Sequence, residues 1–63
     1  MESRADFRER EGLILSQCRL ESGLSQEYVA RQMDVNIRTV RNWEDGLSPI
    51  RNDDLLMWFT VCK

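Results

Sequence analysis

The stretch from Gly23 to Gly46, GLSQEYVARQMDVNIRTVRNWEDG, restricts the fold more than any other part of the chain. It contains two short helical patterns, each opened by a capping residue. Ser25 stands at the first N-cap, where a hydroxyl can accept from an otherwise orphaned N–H of the first turn. Residues 26–33, QEYVARQM, follow, and Val29, Ala30 and Met33 form an i, i+1, i+4 apolar stripe. Ala30 is small enough to let two helices approach closely. Asp34 and Val35 then make a turn, and Asn36 caps a second helix over 37–45, IRTVRNWED. Val40 and Trp43 share one face of that helix, with Glu44 beside them. Gly23 suits a C′ position with positive φ, and Gly46 ends the second helix.

The outer face of the second helix carries the functional signal. Counted from Asn36, the outward positions are Ile37, Arg38, Arg41 and Asn42, and no acid occurs between 36 and 42. Two helices joined by a short turn, the second capped and basic, can seat that second helix in a major groove. Arg can bond guanine O6 and N7 together, Asn can bond adenine N6 and N7, and Ile can pack on a thymine methyl. The helix N-termini near Ser25 and Asn36 also offer free N–H groups to phosphates. Many small helical domains carry capped, Arg-bearing surface helices, so periodicity and charge alone point to duplex DNA without requiring it.

The flanks read as what holds this unit together or pairs it with a second copy. Residues 5–21 form a first helix, with Phe7, Ile14 and Cys18 near one face beside Glu11, and Leu13, Leu15 and Leu20 widening the apolar sector. Arg4, Arg8, Glu9, Arg10 and Glu11 alternate in sign, as on a solvated helix surface. Residues 47–51 form a loop holding the single proline, Pro49. Asn52 or Asp53 caps a last helix over 53–62, DDLLMWFTVC, whose acidic first turn suits the helix dipole. Its interior is almost wholly apolar, and such a helix must be covered on more than one side. A core of 63 residues is too small to cover both faces. Leu55, Trp58, Phe59, Val61 and Cys62 are therefore the candidate contact with a second chain; for Trp58 and Phe59, packing in the chain's own core is the first reading, a dimer interface the second and docking of a protein partner the third.

Composition narrows the class. Sixty-three residues make one domain, 1–63, too small for a large catalytic pocket. With no His and two Cys, a zinc finger is excluded, and neither metal nor cofactor is expected. Cys18 and Cys62 read as two reduced thiols acting as small hydrophobes. No run is long enough to cross a bilayer, and the charged stretch that follows Met1 places the chain in the cytoplasm. The net charge of −2 opposes DNA binding in general, but the acids Glu27, Asp34, Glu44 and Asp45 all lie outside 36–42. There is no His, no carboxylate pair in a cleft and no phosphate-cradling Gly loop, so an enzyme is not expected.

The segment SGLSQEYVARQMDVNIRTVRNWEDGLSPI strongly resembles the phage Cro/repressor-type helix-turn-helix family, also called the xenobiotic-response-element family. Gly23, Leu24, Ser25, Gln26, Val29, Ala30, Val35, Thr39, Val40, Trp43, Glu44 and Gly46 fit its pattern, directly over about 30 residues and more loosely over 13–62. The resemblance implies an all-α, lambda-repressor-like domain of four or five helices with a central helix-turn-helix. It implies a bacterial or phage-encoded transcriptional regulator, a repressor, acting as a homodimer with residues 36–42 in the major groove. By the same resemblance Gln26 bonds a phosphate and buttresses a base-reading side chain, and Ile37, Arg38 and Asn42 touch bases. Thr39 and Arg41 lie on phosphates, Arg51 meets the DNA backbone from its loop, and Arg19 forms a buried ion pair with Glu44. Ile37 departs from the polar reader common at its position, and the chain stops where the family's fifth helix usually follows. An alternative of another class keeps the fold but turns the apolar fourth helix onto a protein partner, as a small antitoxin-like or phage adaptor module.

Overall fold

The computed structural model describes residues 3–63, so the first two residues of the expected 1–63 unit, with Met1, lie outside the described residues. Four helices follow one another: α1 (Arg4–Glu21), α2 (Gln26–Gln32), α3 (Ile37–Glu44) and α4 (Asn52–Val61). The fold is all-α, with four helices rather than five among the described residues. The helix boundaries expected from sequence agree within a residue. Met33, Asp45 and Cys62 serve as C-caps rather than as last helical residues.

Local chemistry sets the ends. Ser3, Ser25 and Asn36 each accept a backbone N–H from the first turn of α1, α2 and α3. The expected Asn52 or Asp53 cap of α4 is absent: Arg51 holds the N-cap position without a side-chain cap bond, and Asn52 and Asp53 lie inside the first turn. The first three helices stop by one device. Leu24 N–H bonds Arg19 O at 3.1 Å, Val35 N–H bonds Ala30 O at 3.0 Å, and Leu47 N–H bonds Asn42 O at 2.9 Å. Each is the long bond of a Schellman motif, which needs a left-handed residue just inside it. Gly23 (φ 71°) and Gly46 (φ 73°) fill two of these positions, and Asp34 (φ 55°) fills the third. That third motif is the turn between α2 and α3, and Asp is among the few non-glycine residues that tolerate it.

The face of α1 that meets the rest of the molecule is not the one its large apolar residues suggest. Phe7 and Ile14 are each 59 % exposed, and Leu13 and Leu20 are more so. The buried positions are Gly12 and Leu15, with Ser16, Cys18 and Arg19 partly covered beside them. The reason is a close crossing. A Cβ on Gly12 would overlap the Glu44 carbonyl group and come within 2.8 Å of the Trp43 carbonyl oxygen. A Cβ on Gly46 would meet the Glu9 Cα at 2.9 Å. α1 thus lies against the end of α3 at a separation only glycine allows, and this contact fixes the rotation of α1.

Of the readings of Trp58, the structure bears out packing in the chain's own core. Trp58 is fully buried, its indole N–H donates to Leu15 O at 3.1 Å, and its ring meets Trp43 edge-on at 6.2 Å between centroids. Cys62 is also buried. Both belong to the chain's own core, with Leu15, Val29, Val40 and Ile50, and neither is on offer to a second chain. Leu55 and Val61 pack partly against that core. Leu56, Met57 and Phe59 remain exposed on α4. With Phe7 and Ile14 of α1, Leu55 and Phe59 line an open groove of about 350 Å³.

Candidate nucleic-acid interface

The site is built around one carboxylate. Glu44 ends α3 and is buried, yet it accepts bonds from every side: Ser16 Oγ at 3.1 Å, Arg19 Nε at 2.7 Å, Arg19 Nη2 at 3.0 Å and Gln26 Nε2 at 3.1 Å. Arg19 also donates from Nη1 to Leu24 O at 2.8 Å, on the turn into α2. A buried carboxylate is costly unless its lone pairs are satisfied, and here four donors satisfy them. The forked guanidinium suits the two carboxylate oxygens together. Hydrogen bonding to Glu44, opposed by burial, raises the pKa of Arg19. One side chain therefore ties α1, α2 and α3 into a fixed arrangement. The sequence paired Arg19 with Glu44 through the family resemblance, but it did not bring in Ser16. That signal is present at α1 spacing, since Ser16 and Arg19 stand at i, i+3.

α3 then presents its outer face. Arg38 and Arg41 are exposed, and neither forms an ion pair among the described residues. Asn42 is half-buried on the same helix, and Thr39 is half-buried near its start. Asn36 uses its side-chain Oδ1 on the Arg38 N–H at 2.8 Å, which closes the N-cap. Ile37 differs from the outward placement expected for it: it is half-buried and packs against the core, so it has only part of its side chain to offer a groove. Gln26, at the start of α2, spends one amide N–H on Glu44 and has a second, since an amide nitrogen carries two donors. Arg51 is exposed at the start of α4 with Asp54 3.8 Å away, a weak surface pair.

The net result is a basic face on a chain of net charge −2. The one acid on α3, Glu44, is turned inward and spent on the scaffold, and Glu27 is engaged with Arg31 at 3.6 Å on the surface of α2. The two helices, their turn and the exposed cations at 38 and 41 reproduce the geometry by which a helix-turn-helix meets a duplex. A family model described as helix-turn-helix matches residues 15–58. The chain belongs to the Cro/C1-type helix-turn-helix family. This family binds DNA and regulates transcription, and it is not a catalytic family. Neither a curated protein nor a solved structure matches this helix-turn-helix chain. Among its described residues no helix is long and apolar enough to cross a membrane.

Proposed function

We propose that this helix-turn-helix protein is a non-enzymatic, sequence-specific repressor in the cytoplasm, with residues 36–42 in the major groove. The observation that carries the reading is the pair of exposed arginines on α3, Arg38 and Arg41, without an ion pair among the described residues and held on a helix whose only acid is buried. Arg38 and Asn42 read base edges. Arg41, Thr39, Asn36, the spare N–H of Gln26 and Arg51 engage phosphates and set the register. Ile37 contributes at most an edge contact to a thymine methyl.

One recognition helix buries little surface, so affinity comes from two copies on half-sites about one helical turn apart. The apolar face that remains for pairing two copies is Leu55, Phe59 and Val61, extended by exposed Leu56 and Met57; Trp58 and Cys62 are withdrawn from it. The second reading, a protein-interaction module, is favoured by the same groove between α1 and α4.

Selection from a random duplex pool at low salt, followed by a salt titration, separates the two. DNA readout gives an enriched site with two-fold symmetry and an affinity that falls steeply with salt. A pool that returns no enriched sequence moves the assignment to the protein partner. Sedimentation equilibrium tests the dimer: a monomer at high micromolar concentration, both free and on selected DNA, removes it.

A further inference from the structure

We propose that Cys18 and Cys62 form a reversible redox pair, and that a low-molecular-weight disulfide of the glutathione class converts them to an intramolecular disulfide that staples the end of α4 to α1. The two residues are 44 positions apart in sequence, and the structure brings them into contact: Cys18 Sγ donates to Cys62 O at 3.2 Å. Both are reduced here. One turn along α1, Ser22 Oγ donates to Lys63 O at 3.1 Å, so two successive residues of the chain end are laid against two residues of one α1 face. Cys62 stands just past the end of the helix (φ −97°, ψ 53°), with its side chain packed in the core and its carbonyl oxygen on the Cys18 thiol.

The two thiols are not equivalent, and the difference orders the chemistry. Cys18 is only half-buried and lines a surface depression with Ile14, Gln17 and Glu21, so a small oxidant can reach it. Cys62 is buried, and desolvation, reinforced by Cys18, pushes its thiol up to about 11. Cys18 therefore reacts first. Its thiolate attacks one sulfur of oxidised glutathione, the glutathione S–S bond breaks, and one glutathione leaves as a thiolate and takes up a proton. Cys62 then gives up its proton, its sulfur attacks the Cys18 sulfur of the mixed disulfide, and the second glutathione leaves as a thiol. Two protein thiols have become one disulfide, and oxidised glutathione has been reduced to two thiols.

The closed ring runs from the last turn of α1 to the end of α4 and encloses the whole α2–α3 unit. Constraining so long a loop removes freedom from the unfolded chain, so the oxidised form holds the helix-turn-helix folded at temperatures where the reduced form melts. The test is to treat the chain with oxidised glutathione and then record intact mass, free thiols and thermal unfolding. The expected result is a monomer lighter by two hydrogens, with no glutathione adduct. Its Tm is raised by roughly 10–25 °C, and dithiothreitol reverses the change. Cys62→Ser is expected to stop at a stable glutathione adduct on Cys18. A wild-type chain that keeps both thiols, retains the adduct on Cys18, forms covalent dimers, or is oxidised without a rise in Tm overturns the proposal.

Discussion

The two ends of the third helix treat charge in opposite ways. At its inner end Glu44 is buried and wrapped by Ser16, Arg19 and Gln26, so that one carboxylate joins three helices. Along its outer face Arg38 and Arg41 stand in solvent with no ion-pair partner among the described residues. A buried charge pair adds little net stability over an apolar core, but it fixes geometry, because misaligned partners would be left desolvated and alone. An exposed cation costs the scaffold almost nothing and stays available to a ligand. The same helix thus takes its position from the hidden charge and offers the visible ones. An acidic protein can in this way still present a locally basic surface.

The sharpest way to break this contrast is to remove the inner charge. Glu44→Ala leaves the Arg19 guanidinium buried without its partner, at a cost of roughly 3–5 kcal/mol. A domain of this size has roughly 3–9 kcal/mol in total, so the variant is expected to be largely unfolded or to melt far below wild type in a circular-dichroism scan. Arg38→Ala, on the outer face, is expected to change stability by less than about 0.5 kcal/mol. Equal losses from the two substitutions would end the division between scaffold and reading surface.

A parallel contrast lies within the fourth helix. Trp58 fills the core against Trp43 and Leu15, whereas its neighbour Phe59 is 42 % exposed. Trp58→Ala is expected to cost about 3–5 kcal/mol by urea unfolding. Phe59→Ala should cost about 1 kcal/mol or less in the monomer, and a much larger loss that depends on protein concentration would identify it as an interface residue.

The end of that helix also responds to pH. Folding lifts the Cys62 thiol from 9.0 to about 11 by burial, so the folded state holds this proton more tightly than the unfolded chain. The associated stability is complete below pH 9, and it is lost as pH rises through 11. Between those limits wild type should lose about 1–2 kcal/mol more than Cys62→Ala. Identical slopes for the two proteins would show that the thiol is not desolvated.

The smallest effect concerns the turn before α3. Asp34 sits at φ 55° where its counterparts at 23 and 46 are glycines. Asp34→Gly is expected to stabilise by about 0.5–1 kcal/mol through relief of the left-handed strain. A loss in urea midpoint would mean that the carboxylate contributes more than its backbone costs.

How much of this was legible in the chain differs between regions for physical reasons. The α2–α3 unit is written in local terms. Ser25, Asn36, Gly23 and Gly46 are caps whose chemistry acts within one turn, and Val29, Val40 and Trp43 repeat at helical spacing, so their roles follow from near neighbours. The rotation of α1 was not legible. Gly12 reads as a weak point in a helix until α3 is placed against it, and only then does it become the contact that turns Leu15 inward and leaves Phe7 and Ile14 outside. The same holds for α4, where six apolar residues compete for the core and a tertiary contact, Trp58 to Leu15 O, decides among them. The Glu44 network was half legible. The family pattern pairs it with Arg19, and Ser16 stands one turn before Arg19 on α1, but the donor Gln26 comes from another helix that meets them only in the fold.

The central claim is that the outer face of α3 reads bases while its surroundings hold the backbone. The direct measurement is the affinity of wild type, Arg38→Ala and Arg51→Ala for the selected site and for every single-base variant of it, at fixed salt. Arg38→Ala is expected to lose discrimination at one base position per half-site, worth about 1–3 kcal/mol. Arg51→Ala should weaken all sequences equally and lower the salt slope by about one. Unchanged discrimination in Arg38→Ala, with both proteins folded, would contradict it.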